Sequence, residues 1–171
     1  INQDQRISLS ASSFLEYIHG LKTGRPPEID LNLEKHVHAF LREIIKKGII
    51  NSAHDLGDGG LAVAIAECCF SSGFGANIML PSSESRLDRL LFAEGGARIL
   101  VSCSSDQSLE LKKYYQDIYL KEANLFSISH IGFVNNQKKL LVSQSNNTII
   151  DVNILELKDI YKDTIKKKIT K

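Results

Sequence analysis

The chain carries almost no excess charge: 21 lysines and arginines face 20 aspartates and glutamates, for a net charge of +1. Without a basic field, neither nucleic acid nor an anionic membrane is expected as a partner. Long hydrophobic runs are also missing. The stretch from Leu61 to Ala66 falls far short of the roughly 20 apolar residues of a membrane span. The three cysteines, Cys68, Cys69 and Cys103, show no CxxC spacing and no paired framework. That argues against a secreted disulfide scaffold and against a zinc site, and fits a reducing cytoplasm. No charged-then-apolar signal pattern precedes Ser10, and the start at Ile1 is expected of a segment from a longer chain. What remains is a soluble polypeptide of 171 residues with 43% hydrophobic content, sized for one domain.

Apolar spacing supplies the elements. Phe14, Leu15 and Ile18 predict a short helix over 11–19 stopped by Gly20. Thr23-Gly24-Arg25-Pro26-Pro27 is a connector, because neither proline can donate a backbone hydrogen bond. Asp30 caps a longer helix, ending at Gly48, whose Leu33, Val37, Phe40, Leu41 and Ile44 share one face. A strand over 49–56 then runs into Gly57, Gly59 and Gly60. The helix that follows, 61–70, is apolar all round but for Glu67, so it belongs in a core or an interface. Next come a strand over 76–80, a helix over 85–92, a buried strand over 97–103, and a helix from Ser105 or Asp106 to about Ala123. Strands over 126–134 and 139–144 flank Asn135-Asn136-Gln137, read as a hairpin turn, with another extended piece over 148–152. The end, 155–171, is a lysine-rich helix or tail. Because the elements alternate without a regular βαβ repeat, the fold class is α+β: a mixed β-sheet with helices packed on it.

One segment is not generic. In Ser52-Ala53-His54-Asp55-Leu56-Gly57-Asp58-Gly59-Gly60-Leu61 a strand end, two carboxylates and three glycines meet a helix start. Glycines let backbone amides approach a ligand, and a helix N-terminus suits phosphate. The spacing is neither GxGxxG nor a P-loop. Asp55 and Asp58 would repel a bare phosphate unless magnesium lay between them or the helix absorbed their charge. The competing reading makes Asp58 the helix N-cap and leaves Asp55 bonded to loop amides. His54 has no second histidine at metal spacing, and His36 and His38, two apart on a helix, point in different directions. A hydrogen-bonding His54 is therefore preferred over an acid, base or ligand. Cys68 and Cys69 read as inert core thiols. Glu94 and Arg98 bracket Gly95-Gly96-Ala97, which either presents a guanidinium to a phosphate or closes an internal ion pair.

The run from Ser52 to Glu67 closely resembles the SAHDxSDGGLAVALAE signature of the phosphoribosylformylglycinamidine synthase large-subunit family. Leu21-Lys22-Thr23-Gly24-Arg25-Pro26-Pro27 is similar to that family's connector, the segment from Leu91 to Val101 to its LFxExxxRxLV pattern, and Ile131-Gly132-Phe133-Val134 to its late IGxV strand. The likeness follows the family order from Ser10 to Val134. Aminoimidazole ribonucleotide synthases, selenophosphate synthetases and thiamine-monophosphate kinases share the fold but differ at the glycine loop.

This resemblance implies an aminoimidazole ribonucleotide synthase-like C-terminal domain, three-layered α/β/α, over 31–153. Residues 1–30 would then be a helix and connector from the preceding module, and 154–171 a lysine-rich helix or tail. It implies ATP and magnesium in the intact enzyme. The implied partners are the remaining modules of the same large subunit, a glutaminase subunit and a small accessory subunit. The family's catalytic histidine and most of its magnesium and nucleotide ligands lie in N-terminal modules, so no catalytic and no metal residue is assigned here. His54, Asp55, Asp58, Gly59, Gly60, Glu94 and Arg98 are expected near a nucleotide or phosphate. Two departures stand out: Leu56-Gly57 replaces the family's commoner valine-serine, and Ala93 to Arg98 replaces a serine-glutamine-glutamate-arginine type segment.

Overall fold

The computed structural model describes residues 7–82, 86–119 and 126–169, with side chains described through Asp163. The chain divides into two compact units, each assembled from two stretches: 1–64 with 91–129, and 65–90 with 130–171. The fold is α+β with a mixed sheet, as expected from the sequence.

In the first unit, helix α1 (Ser13–His19) begins at Ser12, whose hydroxyl accepts from the Leu15 amide, and ends at Gly20 in the left-handed conformation. Helix α2 (Leu31–Lys46) begins at Asp30, whose carboxylate accepts from the Leu33 amide at 3.1 Å. Its Leu33, Val37, Phe40 and Ile44 are buried. Phe40 and Ile44 form a core with Ile49 and Leu111, extended by Tyr114, Tyr115, Tyr119 and Phe126. Phe40 meets the Tyr119 ring edge-on at 4.9 Å, a favoured aromatic geometry. Strand β1 (Ser52–Asp55) pairs antiparallel with β3 (Ile99–Ser102), in a register that sets Asp55 opposite Ile99. Helix α5 (Ser105–Tyr114) starts with a capping box between Ser104 and Gln107 and passes into a π-helical turn, Tyr115–Tyr119.

Helix α3 (Gly60–Ser72) starts in the first unit and ends in the second. Within the second unit, β2 (Gly75–Leu80), β4 (Gly132–Asn135), β5 (Lys139–Gln144) and β6 (Asn147–Asn153) form one sheet in the order β4-β2-β5-β6. The β2–β5 pair is parallel and the other two are antiparallel. Burial alternates along β2, with Ala76, Ile78 and Leu80 inward. Helix α6 (Ile154–Ile169) closes on the second half of α3: Lys158 donates to the Phe70 carbonyl at 3.0 Å and Tyr161 donates to Glu67 at 3.3 Å. Residues 154–169 are thus helical, held to α3 at Lys158 and Tyr161. Cys69 is buried there; burial, and then neighbouring Cys68, push its thiol up to about 11, as befits an inert group. Helix α4 (Leu87–Phe92) precedes the turn that leads to β3.

Several expected boundaries are corrected. Asn135-Asn136-Gln137 is not a β4–β5 hairpin, because β2 lies between those strands, pairing Gly75 with Asn135 and Ala76 with Leu140. The Asn135 side chain instead accepts from the Gln137 amide, a local turn that needs no strand pairing. The hairpin is β5–β6, joined by Ser145 and Asn146, both at positive φ as a two-residue type I′ turn requires. Residues 126–131 are not strand: Phe126 turns into the aromatic core instead. Strand β3 is half-buried and shorter than 97–103. Ile49 packs in the core ahead of the strand that was expected to contain it. Expected helix residues 120–123 and Ser85 lie outside the described residues.

Candidate functional site

Pairing between β1 and β3 continues past the strand ends, where the Leu56 amide donates to the Arg98 carbonyl at 3.1 Å. That bond brings the glycine loop against the 94–98 turn, across 42 residues of sequence. A cleft of about 370 Å³ lies there, walled by Asp55 to Asp58, by Glu94 to Ile99, and by Glu34 and His38 of α2. The structure thus brings Asp55, Asp58, Glu94 and Arg98 of the expected set together. His54, Gly59 and Gly60 are not on the wall. His54 is half-buried on β1, with Nδ1 2.6 Å from the Asp55 carbonyl.

Behind the wall, both glycines are buried and their amides are committed. Gly59 donates to Glu94 Oε1 at 2.8 Å and Gly60 donates to the Gly57 carbonyl at 3.1 Å. The amides that a phosphate would seek therefore already have protein acceptors. Helix α3 starts at Gly60, two residues beyond Asp58, so Asp58 is not its N-cap and projects exposed at the cleft. Gly60 at φ +64 is required on both counts: a Cβ there would lie 2.6 Å from the Ala93 carbonyl oxygen.

Electrostatically the cleft is acidic. Four carboxylates, Glu34, Asp55, Asp58 and Glu94, face Arg98, the only lysine or arginine among the described lining residues. No ion pair joins Arg98 to Glu94 among the described residues. Instead Nη2 donates to the Ala93 carbonyl, and Nε is buried without a partner. Burial lowers the guanidinium pKa from its ordinary value while the Glu94 charge raises it, burial being the larger effect. Arg98 follows Ala97, held at φ +56, a conformation that costs a non-glycine residue energy and that turns the chain into β3. Arg98 gives the wall its guanidinium, although the idle Nε is buried out of a ligand's reach, and the surrounding carboxylates make a bare polyanion unfavourable there. Among the described residues no three histidine, cysteine, aspartate or glutamate side chains gather as a metal set.

Sequence reasoning missed Glu34 and His38. Their i, i+4 spacing places them on one face of α2, with His38 Nε2 3.4 Å from Glu34 Oε2. What the spacing does not reveal is that this face meets the turn: a Cβ on Gly96 would stand 2.0 Å from Glu34 Oε1, the far end of a side chain that can swing aside.

With this geometry in view, comparison with known proteins is informative. The sequence profile of the AIR synthase related protein, C-terminal domain, matches residues 5–143. The chain belongs to that family. A curated relative, the phosphoribosylformylglycinamidine synthase subunit PurL of Prochlorococcus marinus strain NATL1A, is 85% identical over all 171 residues. The same subunit from strain MIT 9313 is 49% identical over 162 residues. This domain spans about a fifth of either relative: 21% of the first and 20% of the second. Among solved structures, Thermotoga maritima PurL complexed with FGAR aligns with a TM-score of 0.63 at 20% identity, covering 80% of this domain and 22% of that chain. The PurLQS structure from the same organism gives 0.64 at 18% identity, over 89% and 25% respectively. At such identities the structural matches establish the fold of the domain, not its chemistry.

Proposed function

We propose that this domain is the second C-terminal module of the large subunit of a phosphoribosylformylglycinamidine synthase. The observation that carries the reading is 85% identity along the whole chain to a subunit of that name. The reaction is an ATP-dependent C–N ligation. The amide oxygen of formylglycinamide ribonucleotide takes the terminal phosphoryl group of ATP, and ammonia released from glutamine then displaces phosphate to leave the amidine. ATP supplies the phosphoryl group when bound, and magnesium accompanies it in the intact enzyme. Both are assigned to the modules outside this chain. The division 1–30, 31–153 and 154–171 is kept as the module plan, in a cytoplasmic assembly with a glutaminase subunit and a small accessory subunit.

Within that enzyme the cleft forms the edge of a nucleotide or phosphate site. Arg98 is the group fitted to an anionic oxygen. Asp55 and Asp58 exclude a bare polyanion and favour one that arrives with a cation. His54, Gly59 and Gly60 stand behind them as the frame, Glu94 joins that frame to the wall, and no catalytic residue is assigned to this chain. A second reading, a purely structural module, is favoured by one observation: the Gly59 and Gly60 amides are spent inside the fold.

The test is ATP- and glutamine-dependent conversion of formylglycinamide ribonucleotide by the full-length protein with its glutaminase partners, beside this chain alone. Turnover only in the full assembly supports the assignment. A full-length protein inactive on this substrate but active as another ATP-dependent kinase or synthase sinks the named function and leaves the fold standing.

A further inference from the structure

We propose that Glu94 is a positioning residue that ties the segment Ser8–Ser13 to the glycine loop, so that one side chain holds both against the turn that walls the cleft. Its backbone and its carboxylate act on different partners. The main chain forms a two-bond bridge with Ser8: each amide donates to the other's carbonyl at 2.9 Å. The side chain reaches two amides 46 residues apart in sequence, Oε1 accepting from Ser13 at 2.9 Å and from Gly59 at 2.8 Å.

Three features make this clamp depend on the side chain at this position. Ala93, immediately before it, is fully buried, so the backbone that carries the side chain has no room to shift. Gly59 is buried, so its amide would be left unsatisfied if the carboxylate were removed. The loop that bears Asp55 and Asp58 is pinned at both ends to the same short stretch: Leu56 to the Arg98 carbonyl at 3.1 Å and Gly59 to Glu94. Cutting the second pin frees the Asp58 end of the cleft wall, while the first still holds the Asp55 end. The inference rests on the reading of this cleft as the functional site, but its test does not depend on turnover.

In the full-length protein that contains this chain, hydrogen exchange is followed in peptides covering 8–16 and 56–63, with β2 and β5 peptides as the reference. Glu94→Ala is expected to speed exchange about tenfold or more in both named segments and to leave the β2 and β5 peptides unchanged. Glu94→Gln, which keeps an acceptor of the same reach, restores both segments to within about threefold of the native protein. Should Glu94→Ala fail to fold, Glu94→Asp keeps the charge but is one methylene short and is expected to release both segments likewise. A change confined to one segment, a failure of Gln to rescue, or equal acceleration in β2 and β5 overturns the proposal. ATP-dependent turnover of the same variants reports separately on the enzymatic assignment, so loss of one conclusion is distinguishable from loss of the other.

Discussion

Gly20 and Gly60 have nearly the same backbone conformation, φ +67 and φ +64, in very different surroundings. A Cβ on Gly20 meets nothing within 4 Å, whereas one on Gly60 would stand 2.6 Å from the Ala93 oxygen and 2.9 Å from the Phe92 carbonyl carbon. Replacing each with alanine therefore separates conformational cost from steric cost. A left-handed alanine costs roughly 1–2 kcal/mol. Restriction of the unfolded chain offsets about 0.4–1 kcal/mol of that. Gly20→Ala should thus cost about 1 kcal/mol. Gly60→Ala adds the penalty of forcing a methyl group against fixed backbone, about 1–3 kcal/mol, because neither carbonyl can swing aside as a side-chain tip would. The expected total is about 2–4 kcal/mol. Urea unfolding of both variants, followed by far-UV circular dichroism, reads the difference as a shift in midpoint at unchanged slope. Equal losses within about 0.5 kcal/mol would refute the close approach of α3 to the 91–93 backbone and the argument built on it.

Three further outcomes are expected. Asn146→Gly, at φ +68 in the β5–β6 turn, should raise stability by about 0.5–1 kcal/mol, seen as a higher urea midpoint, because glycine adopts that conformation without a Cβ penalty. Cys69, with its thiol at about 11 against an ordinary 9.0, contributes stability that is fully present below about pH 9 and declines as pH rises toward 11. A pH series of unfolding midpoints for the native chain and Cys69→Ala should converge over that window, and parallel curves would contradict it. Asp58→Asn should change stability by less than about 0.5 kcal/mol, because Asp58 lies before the helix start and is exposed, yet it should weaken the nucleotide dependence of turnover in the full-length protein. Unchanged turnover would favour the purely structural reading.

How far the residues alone reach depends on the range of the interaction. Helix α2 was legible because its signals are local: Asp30 at the start, Gly48 just past the end, and apolar residues every three or four positions between. Strand β2 was legible for the same reason, its alternation of buried and exposed residues lying within six positions. The β4–β5 hairpin failed because adjacency in sequence does not decide which strand edge is filled. β2, more than 50 residues upstream, takes the place between them. The asparagines that suggested a hairpin form a local side-chain turn, which imposes no pairing.

The candidate site divides in the same way. Asp55, Asp58, Glu94 and Arg98 stood out in the sequence because charges beside glycines at element junctions are unusual, and the cleft gathers all four. Glu34 and His38 sat on an ordinary helical face and gained significance only where that face meets the 94–98 turn. The sequence by itself determined the element types, the unusual glycine loop and the family, since caps, periodicity and motif residues are written in neighbouring positions. Tertiary structure alone decided that the loop amides serve Glu94 and Gly57 rather than a ligand, that Asp58 is free of the helix cap, and that Arg98 keeps an idle donor. The Gly59–Glu94 bond joins groups 35 residues apart, and the Gly60 and Arg98 bonds, though short in sequence, are set by how the folded chain packs, which a linear pattern does not contain.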